Sequence, residues 1–208
     1  LNETILAITC TALGTLFLLF RFVFLNWDAT QGVVKLAILP FILFAFPIVL
    51  AVALLLSKYK PKDMGFRISP VILIALPVVA ITAITAFLAA PGDFTFGNVY
   101  HETGGIMGMF FEGFITAALP EEFTRLIVQT RLGAVMKNKS LGWFLATIVW
   151  AAMHFPTFYR QQDLFEAVLG AIRIIPLGLM WGYLTYRTKN IFPAIITHGI
   201  NIWGLQNF

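Results

Sequence analysis

Two adjacent carboxylates and an arginine lie in one of the most apolar stretches of the chain. Glu121, Glu122 and Arg125 are surrounded by Leu, Ile, Phe and Ala residues. On a helix, Arg125 follows Glu121 by four residues and Glu122 by three, so its guanidinium can contact either carboxylate. The other carboxylate, about 100° away around the helix, is then available as a general base. The pattern therefore indicates acid–base chemistry.

Two histidines and an asparagine later in the chain could serve the same chemistry. His154 lies in one apolar segment, while His198 and Asn201 share a helix face in another. Peptide hydrolysis needs a base, an attacking water and donors aimed at the developing oxyanion, and these residue types supply the base and the donors. Glu121, His154 and His198 are also a candidate zinc-ligand set, because two histidines and a glutamate hold Zn²⁺ in some hydrolases.

The composition places these polar groups in a membrane. Of the 208 residues, 59% are hydrophobic and only 12% are charged, whereas a soluble domain has about 25% charged residues. A chain with so little polar surface must expose apolar side chains to lipid. The single cysteine, Cys10, excludes a disulfide within the chain. The basic residues form no stripe or basic face, so we expect no nucleic-acid partner.

Seven apolar segments predict an all-α, polytopic transmembrane helix bundle of about seven spans, within a range of six to eight. Each segment has roughly 15 to 29 residues, near the ~20 that a helix needs to cross a bilayer. No repeat, low-complexity tract or linker divides the chain. We therefore expect one integral-membrane domain over residues 1–208, with the catalytic motifs within 104–208. The predicted segments are residues 3–27, 33–57, 70–90, 104–131, 141–157, 166–187 and 191–207.

Positive charges alternate between the predicted loops. The first, third and fifth loops contain Arg160 as their single cation, whereas the second, fourth and sixth are basic. Cytoplasmic loops are enriched in Lys and Arg, so we expect the N-terminus in the cytoplasm and the C-terminus outside. The cations in or beside the basic loops are Lys58, Lys60, Lys62, Arg67, Arg131, Lys137, Lys139, Arg187 and Lys189.

Ionisable groups at membrane depth have more than one interpretation. Each costs at least about 2.5–3.5 kcal/mol to insert, so such groups pair with one another or line a wet cavity. An ion-paired cluster that only fixes helix packing, a proton-coupled transporter and a non-catalytic scaffold or immunity protein could all use them. A transporter is expected to show matched halves with broken helices, and none is visible. We expect Arg173 to pair with Glu112 between spans.

Three short motifs follow one another on three different apolar segments. They are "EEFTR" (121–125), "WAAMH" (150–154) and "HGIN" (198–201). In this order they resemble the CAAX-protease and bacteriocin-processing family, the type II CAAX proteases that include the Ras-converting enzyme. That family carries Glu-Glu-x-x-x-Arg, Phe-x-x-x-His and His-x-x-x-Asn. Here the first and third spacings are one residue shorter, and Trp150 stands where the family has Phe. The resemblance covers about residues 104–208.

The resemblance implies an intramembrane endopeptidase. Glu121, in the same motif as Glu122 and Arg125, would be the general base that activates water, with His154 assisting. His198 and Asn201 would stabilise the oxyanion. The substrate would be a peptide or protein, with lipidated peptides among the candidates, and membrane lipids would surround the enzyme. Bacteriocin processing is one role of bacterial members, and a bound zinc ion would make the protein a metalloprotease.

Overall fold

The computed structural model describes residues 51–89 and 96–205, together with positions 4–6, 8, 9, 12, 13, 45 and 47–49. Every regular element in this part of the chain is helical, which confirms the all-α prediction. Short 3-10 helices occupy Pro61–Met64 and Pro70–Ile74, and π-helical segments occupy Phe111–Ala118 and Asn201–Leu205. The α-helices are α1 (Ala75–Ala89), α2 (Phe96–Glu102), α3 (Ile106–Phe110), α4 (Leu119–Val135), α5 (Lys139–Gln161), α6 (Leu164–Arg173), α7 (Ile175–Thr188) and α8 (Phe192–Ile200).

Three helical stretches of the described residues are long and apolar enough to cross a membrane. They are Pro70–Leu88, Lys139–Arg160 and Leu164–Thr188, and they correspond to the third, fifth and sixth predicted segments. Their surfaces expose large apolar side chains such as Ile81 and Leu88, as expected for contact with lipid. The chain is therefore an integral membrane protein.

The remaining predicted segments differ in how far the structure covers them. The fourth is one uninterrupted helical run over 106–135, and the seventh is a helical run over 192–205. The first two segments, 3–27 and 33–57, lie largely outside the described residues, so the total of about seven spans stays a prediction. The third predicted loop, between residues 90 and 104, contains the short helix α2. A helix of two turns offers too few positions for an apolar period to be recognised.

Helix α8 is held close to the segment that precedes α4. It packs against the π-helical segment Phe111–Ala118 and against α7, while α4 packs along α5. At Gly199 of α8, a Cβ atom would lie only 2.7 Å from the ring of Phe114, so a larger residue would push the two helices apart. This close approach brings His198 beside α4.

Two apolar clusters anchor α8 on both of its sides. One cluster contains Phe123 of α4 and Ile195 of α8. The other contains Trp150 of α5, Trp181 of α7 and Ala194 of α8. Because lipid is as apolar as these side chains, close packing rather than exclusion of water holds such helices together.

Asn190 ties the start of α8 to the loop that precedes α1. Its side-chain N–H donates to the carbonyl oxygen of Arg67 at 2.7 Å, and its side-chain oxygen accepts from the backbone N–H of Phe192 at 3.0 Å. The backbone N–H of Ile191 donates to the carbonyl oxygen of Gly65, also at 3.0 Å. Because Asn190 is buried, its hydrogen bonds are costly to lose. The loop at 61–69 is thereby fixed against the segment that joins α7 to α8.

Candidate active site

Arg125 forms a buried ion pair with Glu122, one turn earlier on α4. The guanidinium also donates to the carbonyl oxygen of Gly178 on α7 at 2.5 Å. It lies over the rings of Trp150 and Trp181, at 5.4 and 5.8 Å from their centroids. The guanidinium of arginine is planar, has five N–H donors and can stack on aromatic rings, so it can contact all of these partners at once. The ammonium group of lysine could not. Of the two carboxylates within reach of Arg125, the structure pairs it with Glu122.

His198 forms a hydrogen bond with the second carboxylate oxygen of Glu122. Its Nδ1 lies 2.8 Å from Glu122 Oε1. Because a carboxylate paired with arginine only accepts hydrogen bonds, we assign the proton to Nδ1. The imidazole stacks on Trp181, with ring centroids 4.0 Å apart and an interplanar angle of 10°. Both oxygens of Glu122 are therefore engaged, and the Nε2 atom of His198 is directed elsewhere.

Glu121 projects into different surroundings from those of Glu122. Its Oε2 accepts a hydrogen bond from Trp150 Nε1 at 2.8 Å. The same oxygen lies 3.4 Å from His154 Nε2 and 3.8 Å from His198 Nε2. The side chain of Glu121 is 15% exposed, compared with 1% for Glu122, so water can reach it.

The backbone of α5 sets the orientation of the second histidine. Nδ1 of His154 lies 3.0 Å from the carbonyl oxygen of Trp150. A carbonyl oxygen can only accept, so Nδ1 carries the proton and Nε2 presents a lone pair in the neutral ring. Both histidines thus direct Nε2 at the Glu121 carboxylate.

A small hollow lies beside this group. Its volume is about 10 Å³, and its lining includes Glu121, Arg125 and Trp150. One water molecule needs roughly 10–15 Å³ of such space together with polar partners. The hollow is at the lower limit of that range, and its other lining residues are Thr124 and four apolar side chains, so it adds space beside Glu121 without forming a polar site for a water.

The backbone N–H of Asn201 donates to the carbonyl oxygen of His198, but in the described part of the chain its side chain forms no hydrogen bond to the other five predicted site residues. Asn201 begins the π-helical segment one turn after His198. Its side-chain oxygen is buried and has no hydrogen-bond partner among the residues that the structure describes.

The expected pairing of Arg173 with Glu112 is wrong. Arg173 pairs instead with Glu166, at 3.7 Å, and the two side chains are 57% and 44% exposed. Glu166 and Arg173 are seven residues apart on α6, which places them on one face two turns apart. Glu112 is exposed on the π-helical segment that precedes α4.

The zinc hypothesis gains no support from the side-chain arrangement. Glu121, His154 and His198 lie near one another. Yet in the described ranges no group of three or more His, Cys, Asp or Glu side chains is arranged to hold a metal ion. Measuring activity in the presence of a chelator tests whether the protein depends on a metal.

The site contains residues to which the sequence analysis assigned no role. Trp150 donates to Glu121, and Gly178 supplies a carbonyl oxygen to Arg125. A Cβ atom at Gly178 would lie 2.6 Å from the Trp150 ring, so only glycine lets that ring rest on α7. The spacing of Trp150, four residues before His154, was a signal that both face one site. Gly178 carried no such signal, because its contact is made through the backbone.

Comparison with known proteins identifies the region that contains this site. A family model described as Type II CAAX prenyl endopeptidase Rce1-like matches residues 103–203. The match runs from the end of α2 to the second π-helical segment and includes all six predicted site residues. No curated protein and no solved structure matches the chain.

We predict that Arg125→Met lowers the free energy of unfolding by about 3–5 kcal/mol, because it leaves Glu122 buried without its cation. Arg173→Met is the matched control, since it removes the cation of an exposed pair worth about 0–1 kcal/mol. Denaturant unfolding of the purified protein in detergent measures both losses. Equal losses for the two variants would contradict the assignment of Arg125 as the stabilising partner of Glu122.

Proposed function

Residues 103–203 belong to the Rce1-like family of type II CAAX prenyl endopeptidases, which indicates an intramembrane endopeptidase, and we propose that this chain activates its hydrolytic water with Glu121. The observation that carries the proposal is the contrast between two adjacent carboxylates. Glu122 is engaged by Arg125 and His198, whereas Glu121 faces two imidazole nitrogens and is partly exposed to water. Opposite environments of this kind assign different roles to neighbouring carboxyl groups.

In the proposed reaction, a water bridges Glu121 Oε2 and His154 Nε2 from one side, because the 3.4 Å between these atoms leaves no room for it in line. The water donates one hydrogen bond to each group, which leaves a lone pair for attack on the scissile carbonyl carbon. Glu121 takes the proton as the water oxygen forms the new bond. The hydrogen bond from Trp150 Nε1 holds the carboxylate in position for this transfer.

The developing negative charge needs donors on the other side of the carbonyl group. We assign this role to His198, whose Nδ1–H is held by Glu122 and whose Nε2 acts as a donor when it carries a proton. We assign Asn201 as the second donor through its Nδ2 amide group, because it follows His198 by one turn of the helix. The proton held by Glu121 then passes to the leaving nitrogen, the C–N bond breaks, and a carboxylic acid and an amine are released.

The family indicates a peptide or protein substrate, and a groove beside the site favours a lipidated one. The groove has a volume of about 290 Å³ and a wholly apolar lining. Pro120 and Phe123, which flank the two glutamates, form part of it together with Met64 and Phe66. Glu121 lies outside this lining, on a different face of α4, so an alkyl or prenyl chain in the groove would anchor the substrate to the same helix while its peptide crosses to Glu121.

Glu121→Gln is predicted to lower cleavage by at least about 100-fold, since it removes the base at almost constant volume. The unfolding midpoint is expected to be unchanged. Substrates are found by quantitative comparison of membrane peptides between cells that carry the wild-type protein and cells that carry the variant. A set of peptides unaffected by Glu121→Gln would favour the transporter or scaffold interpretation instead.

A chelator separates the glutamate mechanism from the zinc mechanism. We expect purified enzyme to keep its activity in EDTA and in 1,10-phenanthroline. Loss of activity that added Zn²⁺ restores would show a metalloprotease.

Trp150→Phe is predicted to lower kcat by about tenfold with little change in KM, because the ring remains but the N–H that orients Glu121 is lost. Trp143→Phe is the matched control: it removes an indole hydrogen bond of 3.0 Å to the carbonyl oxygen of Leu179, away from Glu121. Steady-state kinetics and unfolding midpoints of both variants provide the test. Equal effects on kcat would mean that Trp150 acts only through packing.

We also propose that the N-terminus is cytoplasmic and the C-terminus outside, which places the start of α5 on the cytoplasmic side. In a Cys10→Ala background, Ser140→Cys is predicted to react with an impermeant maleimide only from the cytoplasmic side. Gln162→Cys, just beyond the other end of α5, is predicted to react only from outside. The opposite labelling pattern would invert the orientation.

A further inference from the structure

A second cavity lies at the end of the helix bundle, away from Glu121. Its volume is about 270 Å³, and it is enclosed by the loop at 61–69, the later turns of α4, the start of α5 and the end of α7. Its lining carries an excess of three positive charges over negative ones. The charged residues are Lys62, Arg67, Lys139 and Lys189, with Asp63 as the one carboxylate.

The cations of this cavity lack acidic partners. In the described part of the chain, no salt bridge involves any of the four. Arg67 Nε donates to the carbonyl oxygen of Lys62 at 2.8 Å, and Lys189 Nζ donates to that of Tyr186 at 2.6 Å. Asp63 accepts from the backbone N–H of Lys60. All four side chains are exposed, so water screens their mutual repulsion and they remain available to an anion bound among them.

Besides a negative charge, the ligand of this cavity should supply a hydrogen-bond donor, because Gln129 has a buried acceptor oxygen. Gln129 lines the cavity and is buried, and its Nε2 approaches the carbonyl oxygen of Gly182 at 3.4 Å. Its Oε1 is buried without a hydrogen-bond partner in the described ranges. The Oε1 atom lies against Gly182 on α7, and a hydroxyl group on the ligand would satisfy this costly buried acceptor once the amide turns toward the cavity. The ligand should therefore combine an anionic group with a hydroxyl donor.

The position of the cavity points to a membrane lipid. Lys139 begins one candidate span, and Lys189 directly follows the end of another. The cavity therefore lies at the level where phospholipid headgroups meet the ends of membrane helices. Leu126 and Ala134 add an apolar wall for the part of a lipid nearest its headgroup. Basic pockets between the ends of membrane helices are suited to anionic headgroups.

We propose that this cavity binds the headgroup of an anionic phospholipid, with the phosphate between Lys62 and Lys139 and a headgroup hydroxyl on Gln129. Phosphatidylglycerol has both groups. The bound lipid would also brace the catalytic helices, because Gln129 lies one turn after Arg125 on α4 and Gly182 lies one turn after Gly178 on α7. Lipid identity would then influence the rigidity of the site without any contact with substrate.

Thermal unfolding in a neutral detergent tests the proposal, with phosphatidylglycerol titrated against phosphatidylcholine. Lys62→Gln/Lys139→Gln removes two lining cations, and Lys60→Gln/Arg187→Gln removes two exposed cations outside the cavity. All four side chains are exposed, so neither double variant should disturb the fold. Lys189 and Arg67 are left intact, because Lys189 adopts a left-handed backbone (φ 54°) and Arg67 bonds to backbone.

We expect phosphatidylglycerol, but not phosphatidylcholine, to raise the unfolding midpoint of the wild type. The concentration for half of this effect should rise on the order of tenfold in Lys62→Gln/Lys139→Gln and stay within about twofold in the control. Glycerol 3-phosphate tests for a soluble ligand and should give no shift. Equal responses of the two double variants, or a full shift with glycerol 3-phosphate, would overturn the lipid assignment.

Discussion

The buried ion pair between Glu122 and Arg125 is the interaction on which the rest of the site depends. A carboxylate at this depth is stable only where a cation and hydrogen-bond donors surround it, and Arg125 and His198 provide them. The same guanidinium reaches the backbone of α7 at Gly178 and lies over the ring of Trp150 on α5. One charge pair on α4 therefore fixes the relative positions of α5, α7 and α8. The polar group that is expensive to bury is also the group that specifies how the helices pack.

This arrangement gives Glu121 its different environment. Adjacent residues of a helix point about 100° apart, so a Glu122 held toward α7 and α8 directs Glu121 toward α5. There it meets the indole N–H of Trp150 and the Nε2 atoms of two histidines. The position that the related family fills with Phe carries Trp in this chain, and a Phe could not donate to the carboxylate. Trp in place of Phe at position 150 therefore adds a hydrogen bond to Glu121.

Much of this site could be predicted from the sequence, because few ionisable residues lie in the apolar segments and three motifs occur in a specific order. The partner of Arg125 could not be predicted, since spacings of three and four are equally compatible with contact on a helix. The choice depends on the α7 backbone at Gly178, which no side-chain pattern encodes. The pairing of Arg173 failed for a related reason. Arg173 pairs with Glu166, two turns away on its own helix, whereas the predicted partner, Glu112, is far away in the sequence.

The charge balance of the site explains why both histidines point at Glu121. Glu121 and Glu122 carry two negative charges against the single positive charge of Arg125, and an excess charge is unfavourable in a membrane. One additional proton on Glu121, His154 or His198 makes the group neutral. Because both imidazoles direct Nε2 at Glu121, at 3.4 and 3.8 Å, that proton can move among the three groups without a large side-chain motion. In the proposed reaction Glu121 must be ionised to take a second proton from water, so the resident proton must be on a histidine at that step. The close approach of the two imidazoles to Glu121 provides the place for it.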